Sequence, residues 1–328
     1  AVKFIASATI GFDHIDTAYC RRQGIAWANA PGCNAGSVNQ YLASALLTYA
    51  RKKRIKLRDL TVGIVGVGNV GRKAADLCHA IGMQALLNDP PRQRAEGKGN
   101  FTDLARIREQ ADIITFHVPL QCAGEFATHH MVDDSFLKDL KKSPLLVNTC
   151  RGEVFDSAAV KTALDSGSIS GLIIDCWENE PEIDLELLGK ADFGTPHIAG
   201  YSRDGKAVGT MMSIRAVSRF FKLGIDDWQP TEVELPKQTL IQLDGHKKDE
   251  ESVLAEAVLA TYDILADDKR LRAAAPGSFE RLRGEYPVRR EFHNYRIEAR
   301  NVHKSTVSAL KRMGFQLPSL RKLPVLAF

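Results

Sequence analysis

Three charged residues each sit just beyond a short run rich in Val, Ile and Leu. Arg151 lies in Asn148-Thr149-Cys150-Arg151-Gly152, Glu180 in Asp175-Cys176-Trp177-Glu178-Asn179-Glu180-Pro181, and His197 in Thr195-Pro196-His197-Ile198-Ala199-Gly200. An imidazole can accept the proton of a hydroxyl, and a carboxylate beside it fixes the tautomer and stabilises the charged form. A guanidinium can clamp a carboxylate through two parallel hydrogen bonds. Taken singly, each residue has a plainer reading: surface charge, acidic loop, satisfied core histidine. Their succession at consecutive strand ends favours the joint one, chemistry at an alcohol carbon with a base for the hydroxyl proton and a cation for the substrate.

Upstream lies a loop suited to a dinucleotide. Gly66-Val67-Gly68-Asn69-Val70-Gly71 follows one predicted strand and opens a helix. Gly66 permits the tight turn, Gly68 lets a pyrophosphate approach the backbone, and Gly71 lets helix and strand pack closely. The helix N-terminus adds free N–H groups and positive dipole. Asp89 closes the next strand, 18 residues past Gly71 (89 − 71). A carboxylate there accepts hydrogen bonds from ribose hydroxyls and repels a 2′-phosphate, so NAD is favoured over NADP. Arg92 and Arg94 argue the reverse, but Pro90-Pro91 is expected to direct them away.

The elements that must position these residues are legible. Strands are expected at Thr61–Gly66, Ala85–Asp89, Ile113–Val118, Leu145–Thr149, Leu172–Cys176 and Phe193–Pro196. Their continuous hydrophobicity fits burial on both faces, and helical spacing between them, as in Arg72–Ile81 and Ala158–Leu164, implies a doubly wound α/β fold with a parallel sheet. Before it stand a strand at Lys3–Ser7, a helix near Ile15–Gln23 and a run at Gly24–Trp27. Val38–Arg54 reads as an amphipathic bridging helix and Lys206–Lys222 as its mirror. After Asp226-Asp227-Trp228-Gln229-Pro230 the texture changes. A helix is expected at Glu250–Ala266, with Val253, Leu254, Ala257, Val258, Thr261 and Leu265 on one face, and another at Val302–Met313.

Composition narrows the class. Of 328 residues, 44% are hydrophobic and 26% charged, which argues against disorder. No apolar run reaches the ~20 residues of a membrane span. The six cysteines show no metal-ligand spacing and fit reduced thiols in a cytosol. Net charge is +4, but residues 269–328 carry 14 Lys/Arg against 4 Asp/Glu, a net of +10. A basic tail can serve nucleic acid, a membrane or an anionic substrate; a solvated or interface surface is the favoured reading, without nucleic acid or membrane.

Together the glycine loop, the Asn-x-x-Arg-Gly turn, Asp-x-Trp-Glu-x-Glu-Pro and Pro-His-Ile-Ala-Gly resemble those of the NAD-dependent D-2-hydroxyacid dehydrogenases. The interval of 29 from Arg151 to Glu180 (180 − 151) suits that family. Pro31-Gly32-Cys33-Asn34-Ala35, Asp89-Pro90-Pro91-Arg92, His197-Ile198-Ala199-Gly200-Tyr201, the interval of 17 to His197 (197 − 180) and the long tail resemble a branch of it. That branch oxidises 4-phospho-D-erythronate to (R)-3-hydroxy-2-oxo-4-phosphooxybutanoate in vitamin B6 biosynthesis. The resemblance implies that Arg151 binds the substrate carboxylate and C2 oxygen, that His197 exchanges the hydroxyl proton, and that Glu180 supports His197. Asn69 and Val70 match cofactor-loop positions, Asp89 the adenosine ribose, and Val118 the adenine side. Val118 stands where a small hydroxyl residue is common, so that contact is expected through backbone. Thr149, Cys150, Arg151, Asp175 and Gly200 match positions near the nicotinamide; Thr9 and Tyr201 match substrate contacts. The resemblance further implies a Rossmann NAD domain at 37–200 and a flavodoxin-like substrate domain of which 1–36 is the remainder. Residues 201–228 would return to the latter, and 229–328 would form an α+β domain for a cytoplasmic homodimer, with the 250–266 face at its two-fold interface. Roughly 50–60 residues are expected to precede the chain.

Two other motifs are discounted. Tyr49-Ala50-Arg51-Lys52-Lys53 matches a Tyr-x-x-x-Lys pair but precedes the glycine loop and reads as surface charge. His129 and His130 are expected to diverge, and no His/Cys cluster supports a metal. Two alternatives stay open: the same chemistry on 3-phosphoglycerate or a simpler 2-hydroxy acid, and an NAD-sensing corepressor-like binding protein.

Overall fold

The computed structural model describes residues 1–97, 99–274 and 276–317. The chain opens with β1 (Phe4–Ala6), α1 (Thr17–Gln23) and β2 (Ala26–Ala28), a parallel two-stranded unit, and α2 (Ala35–Lys53) leads out of it. The central body comprises β3 (Thr61–Val65), α3 (Asn69–Ile81), β4 (Gln84–Asn88), α4 (Pro90–Glu96), α5 (Leu104–Gln110) and β5 (Ile113–Phe116). It continues through α6 (Asp134–Lys138), β6 (Leu145–Asn148), α7 (Ser157–Ser166), β7 (Gly171–Ile174), α8 (Leu185–Lys190) and β8 (Phe193–Gly194). α9 (Arg203–Phe221) runs back to β1, where the Phe4 and Phe220 rings lie 4.7 Å apart. The final segment adds β9 (Leu240–Asp244), α10 (Glu250–Leu259), α11 (Ile264–Arg272), α12 (Phe279–Gly284), β10 (Arg296–Arg300) and α13 (Lys304–Met313).

The expected parallel sheet is present, in the order β4-β3-β5-β6-β7-β8. A parallel bridge from Leu87 to Phe101 extends it past β4. β5, β6 and β7 are buried along their whole length, as strands covered on both faces must be. Aspartates start the helices: Asp16, Asp89, Asp103, Asp133, Asp156, Asp184, Asp249 and Asp263 each accept a first-turn N–H.

The C-terminal segment departs from expectation. Up to Ala50, α2 has no solvent face: its polar residues Ser37, Asn39, Gln40, Ser44 and Thr48 are buried with its apolar ones. Gln40 donates to Arg290 O (2.9 Å) and Thr261 Oγ1 (3.0 Å), and Ser44 Oγ accepts from Ile264 N (3.1 Å). A stripe that reads as solvated is instead hydrogen-bonded to the tail. The helix expected over 250–266 is two helices. Thr261 turns its hydroxyl back to Val258 O (2.7 Å), and Asp263 caps α11 through Leu265 N (3.0 Å). Leu265 consequently faces solvent, while Val253, Leu254, Ala257 and Val258 lie in one core with α2, α3 and α13. That apolar face is consumed within the chain and does not supply a two-fold interface. The parallel pair β9 and β10 supplies the β part of the expected α+β tail, and Leu240–Asp244 alternates inward and outward at period two. The part of the tail beyond 317 lies outside the described residues.

Tyr49 is also buried, at 4% exposure, so the surface charge of its motif is Arg51, Lys52 and Lys53, the two lysines facing Asp192.

Candidate active site

The glycine loop, Asp89, Arg151, Glu180 and His197 all follow C-terminal ends of the sheet strands, where doubly wound folds hold ligands. Gly66 has φ 87°, and a Cβ there would strike His117 and Val118; a Cβ on Gly71 would strike Gly66. A Cβ on Gly68 would meet nothing within 4 Å. The loop is thus sterically closed at its first and third glycines and open at the second, the arrangement a pyrophosphate needs. Asn69 and Val70 begin α3 behind it, and Asn69 lies against Gly32 across the cleft.

Asp89 stands at the end of β4. Its Oδ2 accepts from Val67 N (2.8 Å) and its Oδ1 from Arg92 N (3.0 Å), joining the glycine loop to the α4 cap. Arg92 is not directed away, contrary to expectation. Pro90 and Pro91 form the first turn of α4 and carry Arg92 back over the loop, where its guanidinium donates to Val67 O and pairs with Glu96 (2.7 Å). Arg94 does point outward, paired with Glu125. Both cations therefore have anionic partners at this corner.

His197 Nδ1 lies 2.7 Å from Glu180 Oε2, and Glu180 Oε1 accepts from Trp177 N (2.8 Å). The His197 backbone has φ 53°, a left-handed conformation uncommon for a residue with a Cβ. Buried Asp175 holds it there: its carboxylate accepts from Thr195 Oγ1 (2.6 Å), Ile198 N (2.8 Å) and Ala199 N (2.9 Å), and its carbonyl from His197 N (2.9 Å). Burial raises the Asp175 pKa above the ordinary carboxylate range. Gly200 closes the turn against Asn34. Arg289, from the tail, donates to Ala199 O and Ser37 and lies 4.5 Å from the Tyr262 ring, so the last segment of the chain braces the turn that carries His197.

Arg151 follows β6, with Gly152 packed directly on the Trp177 backbone. Its guanidinium lies against Gly11 and donates to Asp13 Oδ2 from Nε (3.0 Å) and Nη2 (2.9 Å). Thr9, two residues before Gly11, donates to Gly11 O (2.8 Å), so the small N-terminal unit and the large sheet meet at this residue. Thr149 is half-buried, and Cys150 is buried with N and Sγ on Asn148 Oδ1 (3.1 and 3.2 Å). Burial pushes the Cys150 thiol up to about 11 and the Cys176 thiol well above its ordinary value. Cys176, Glu180 and His197 bring their ligand atoms within 4.8 Å of one another, a cluster the one-dimensional spacing did not suggest. Tyr201 receives a hydrogen bond from Arg283 Nη2 (3.0 Å). Val118, half-buried, packs beside Gly66.

Three residues at the site escaped the sequence reading. His117 directly follows β5, between Thr115 Oγ1 (3.1 Å) and Thr149 Oγ1 (3.5 Å), and desolvation pushes it down to about 3, so it is neutral. The strand-end rule that found Arg151 would have found it. Asp13 and Arg283 carry no comparable local signal. His129 and His130 do not diverge; their rings stack 4.1 Å apart, and His130 Nε2 lies 2.6 Å from Glu178 Oε1. They occupy a loop with His130 at φ 48°, so the divergence of neighbours on a regular element does not apply.

The family model for the D-isomer specific 2-hydroxyacid dehydrogenase NAD binding domain matches residues 36–199, and that of a domain of unknown function matches 234–314. The chain belongs to the D-isomer specific 2-hydroxyacid dehydrogenases and is an NAD-dependent oxidoreductase. It is 52% identical over 296 residues to erythronate-4-phosphate dehydrogenase of Bacteroides fragilis, spanning 90% of this chain and 82% of that one. The protein of the same name from Proteus mirabilis is 42% identical, over 96% of this chain and 83% of its own. Among solved structures, D-lactate dehydrogenase of Aquifex aeolicus, complexed with NAD and lactic acid, superposes with a TM-score of 0.57 at 28% identity. That match covers 68% of this chain and 78% of the other.

Proposed function

We propose that the protein oxidises 4-phospho-D-erythronate at C2 to (R)-3-hydroxy-2-oxo-4-phosphooxybutanoate, a step of vitamin B6 biosynthesis. The observation that carries the reading is the 2.7 Å His197–Glu180 pair on the same sheet edge as Arg151. With its Nδ1–H donated to Glu180, His197 presents the Nε2 lone pair to the substrate hydroxyl and takes its proton. Glu180 holds that tautomer and stabilises the imidazolium that forms. Arg151 clamps the C1 carboxylate and the C2 oxygen, releasing Asp13 as it does so. Thr9 and Tyr201 contact the rest of the substrate. NAD, when bound, would supply the acceptor for the hydride leaving C2. Gly66, Gly68, Asn69, Val70 and Gly71 would hold its pyrophosphate, Asp89 its ribose hydroxyls and Val118 its adenine side; Thr149, Cys150, Arg151, Asp175 and Gly200 would surround the nicotinamide.

The test follows NADH absorbance with 4-phosphoerythronate, 3-phosphoglycerate and erythronate in parallel. Strong preference for the first is the expected result. Faster turnover of 3-phosphoglycerate would keep the residue roles and overturn the substrate; NAD binding without any turnover would overturn the enzyme reading.

The protein is further proposed to work as a cytoplasmic homodimer assembled through its C-terminal segment. Six free cysteines fit a reducing compartment, and no helix among the described residues is long and apolar enough to cross a membrane. Among the described residues of this segment, Leu235, Leu265 and Val288 are the exposed large apolar side chains open to a partner. Sedimentation equilibrium measures the mass; a monomer at assay concentration would overturn the dimer.

A further inference from the structure

Four residues past His197, the Tyr201 ring carries two cations. Lys206 Nζ lies 4.5 Å from its centroid and the Arg283 guanidinium 5.6 Å, and Arg283 also donates to the Tyr201 hydroxyl (3.0 Å). Arg203 stands close enough, together with Arg283 and partial burial, to lower the Lys206 pKa; burial is the largest cause. Gathering like charges costs free energy unless something negative shares the site. The carboxylates present are few: Glu280 pairs with Arg283 Nη1 (2.8 Å), and Glu234 reaches Arg203 only at 3.9 Å. Lys206 has no carboxylate within 4.0 Å among the described residues. Arg283 Nε is buried without a hydrogen-bond partner.

The cluster borders the reacting centre. Tyr201 N donates to Ile198 O (2.8 Å), within the turn that holds His197, and Arg283 lies within the field of Glu180. α9 contributes Lys206, and the tail helix α12 contributes Arg283. Arg151 and the cluster stand on separate elements, so a substrate with an anionic group at each end has a cation for each.

We infer that Tyr201, Lys206 and Arg283 form the subsite for the substrate's terminal phosphate, a monoester dianion placed two carbons beyond the oxidised C2. The inference rests on the proposed phosphorylated substrate. The guanidinium fork supplies directed donors, the ammonium supplies compact charge, and the phenol orients both. The C-terminal segment thereby has a role in substrate selection in addition to bracing the catalytic turn.

The test is the ratio of kcat/KM for 4-phosphoerythronate over erythronate in the wild type, Lys206→Met, Arg283→Met and Arg283→Lys. Each Met variant should lower that ratio on the order of 10- to 100-fold, and Arg283→Lys should fall between. Inorganic phosphate should inhibit the wild type competitively with 4-phosphoerythronate and inhibit both Met variants less. NAD affinity and thermal melting report whether each variant is folded; exposed Lys206 keeps the test available if Arg283→Met is not. A wild type that prefers the phosphorylated acid, with variants that keep its ratio, would overturn the subsite. A wild type without that preference would overturn the underlying substrate reading instead.

Discussion

Arg151 and Asp13 are joined across the cleft, two guanidinium nitrogens donating to the single oxygen Oδ2 at 3.0 and 2.9 Å. Asp13 belongs to the small N-terminal unit and Arg151 to the sheet, so the proposed substrate anchor is held by a protein carboxylate through one oxygen, short of the two parallel bonds a fully clamped carboxylate would make. The Asp13 side chain is 55% exposed, which keeps the pair weak and exchangeable, worth about 1 kcal/mol or less.

Asp13→Asn should therefore lower KM for the hydroxy acid by roughly 2- to 5-fold, since the competing anion is gone. Steady-state kinetics at saturating NAD measures it. A rise in KM would show that Asp13 orients Arg151 instead of competing with its ligand.

Glu180 needs two acceptors, one for Trp177 N and one for His197 Nδ1–H. A Gln has one carbonyl oxygen, so Glu180→Gln must lose one of these bonds or turn the imidazole to the wrong tautomer. It should lower kcat by about 100-fold or more while leaving NAD affinity nearly unchanged. A kcat within a small factor of wild type would remove Glu180 from the catalytic set.

Asp89→Ser keeps an oxygen to cap α4 but removes the charge proposed to exclude a 2′-phosphate. It also frees Arg92 from the carboxylate at its own cap. The ratio of kcat/KM for NAD over NADP should fall by roughly 10-fold, about 1.4 kcal/mol. An unchanged ratio would mean that specificity is set elsewhere.

Asp204 ties the tail to α9: it accepts from Arg290 (2.9 Å), Glu291 N (2.8 Å) and Asn294 Nδ2 (3.2 Å), with His293 at 3.4 Å. Burial alone would raise its pKa, but His293, Arg290 and the Glu291 amide hold it well below its ordinary 3.8. A depressed carboxylate contributes stability that is present above 3.8 and lost as pH falls toward the lower folded value. His293 is raised above 6.5 by Asp204, so its share is present below 6.5 and lost as pH rises through the folded value. Asp204→Ala should cost about 3 kcal/mol near pH 5, by stranding buried Arg290. In chemical unfolding, the gap from wild type should narrow toward about pH 3 and, more modestly, above about pH 7. A pH-independent gap would show that the contact is steric.

Much of this protein is local, and local features are legible. Strands such as Ile113–Phe116 and Leu145–Asn148 are apolar throughout because both faces are covered, and that requirement is written in consecutive residues. The glycine loop works through backbone shape, which the spacing Gly66, Gly68, Gly71 specifies directly. Arg151, Glu180 and His197 lie at one sheet edge because topology brings strand ends together, so order along the chain implies proximity.

Pairings between distant segments were not legible. Arg92 folds back because α4 begins at Pro90, a consequence of the Asp89 cap and not of the prolines alone. Asp13 meets Arg151 only because two units close on each other, and nothing around Asp13 in the chain marks it. The polar side of α2 is indistinguishable in sequence from a solvated face; only the packed tail supplies Thr261 and Arg290 O in place of water. Burial and partner identity depend on contacts made hundreds of residues apart. The sequence by itself determined the sheet, the dinucleotide loop and the residues proposed to react, while the tertiary structure decided which charges hold them and where the tail belongs.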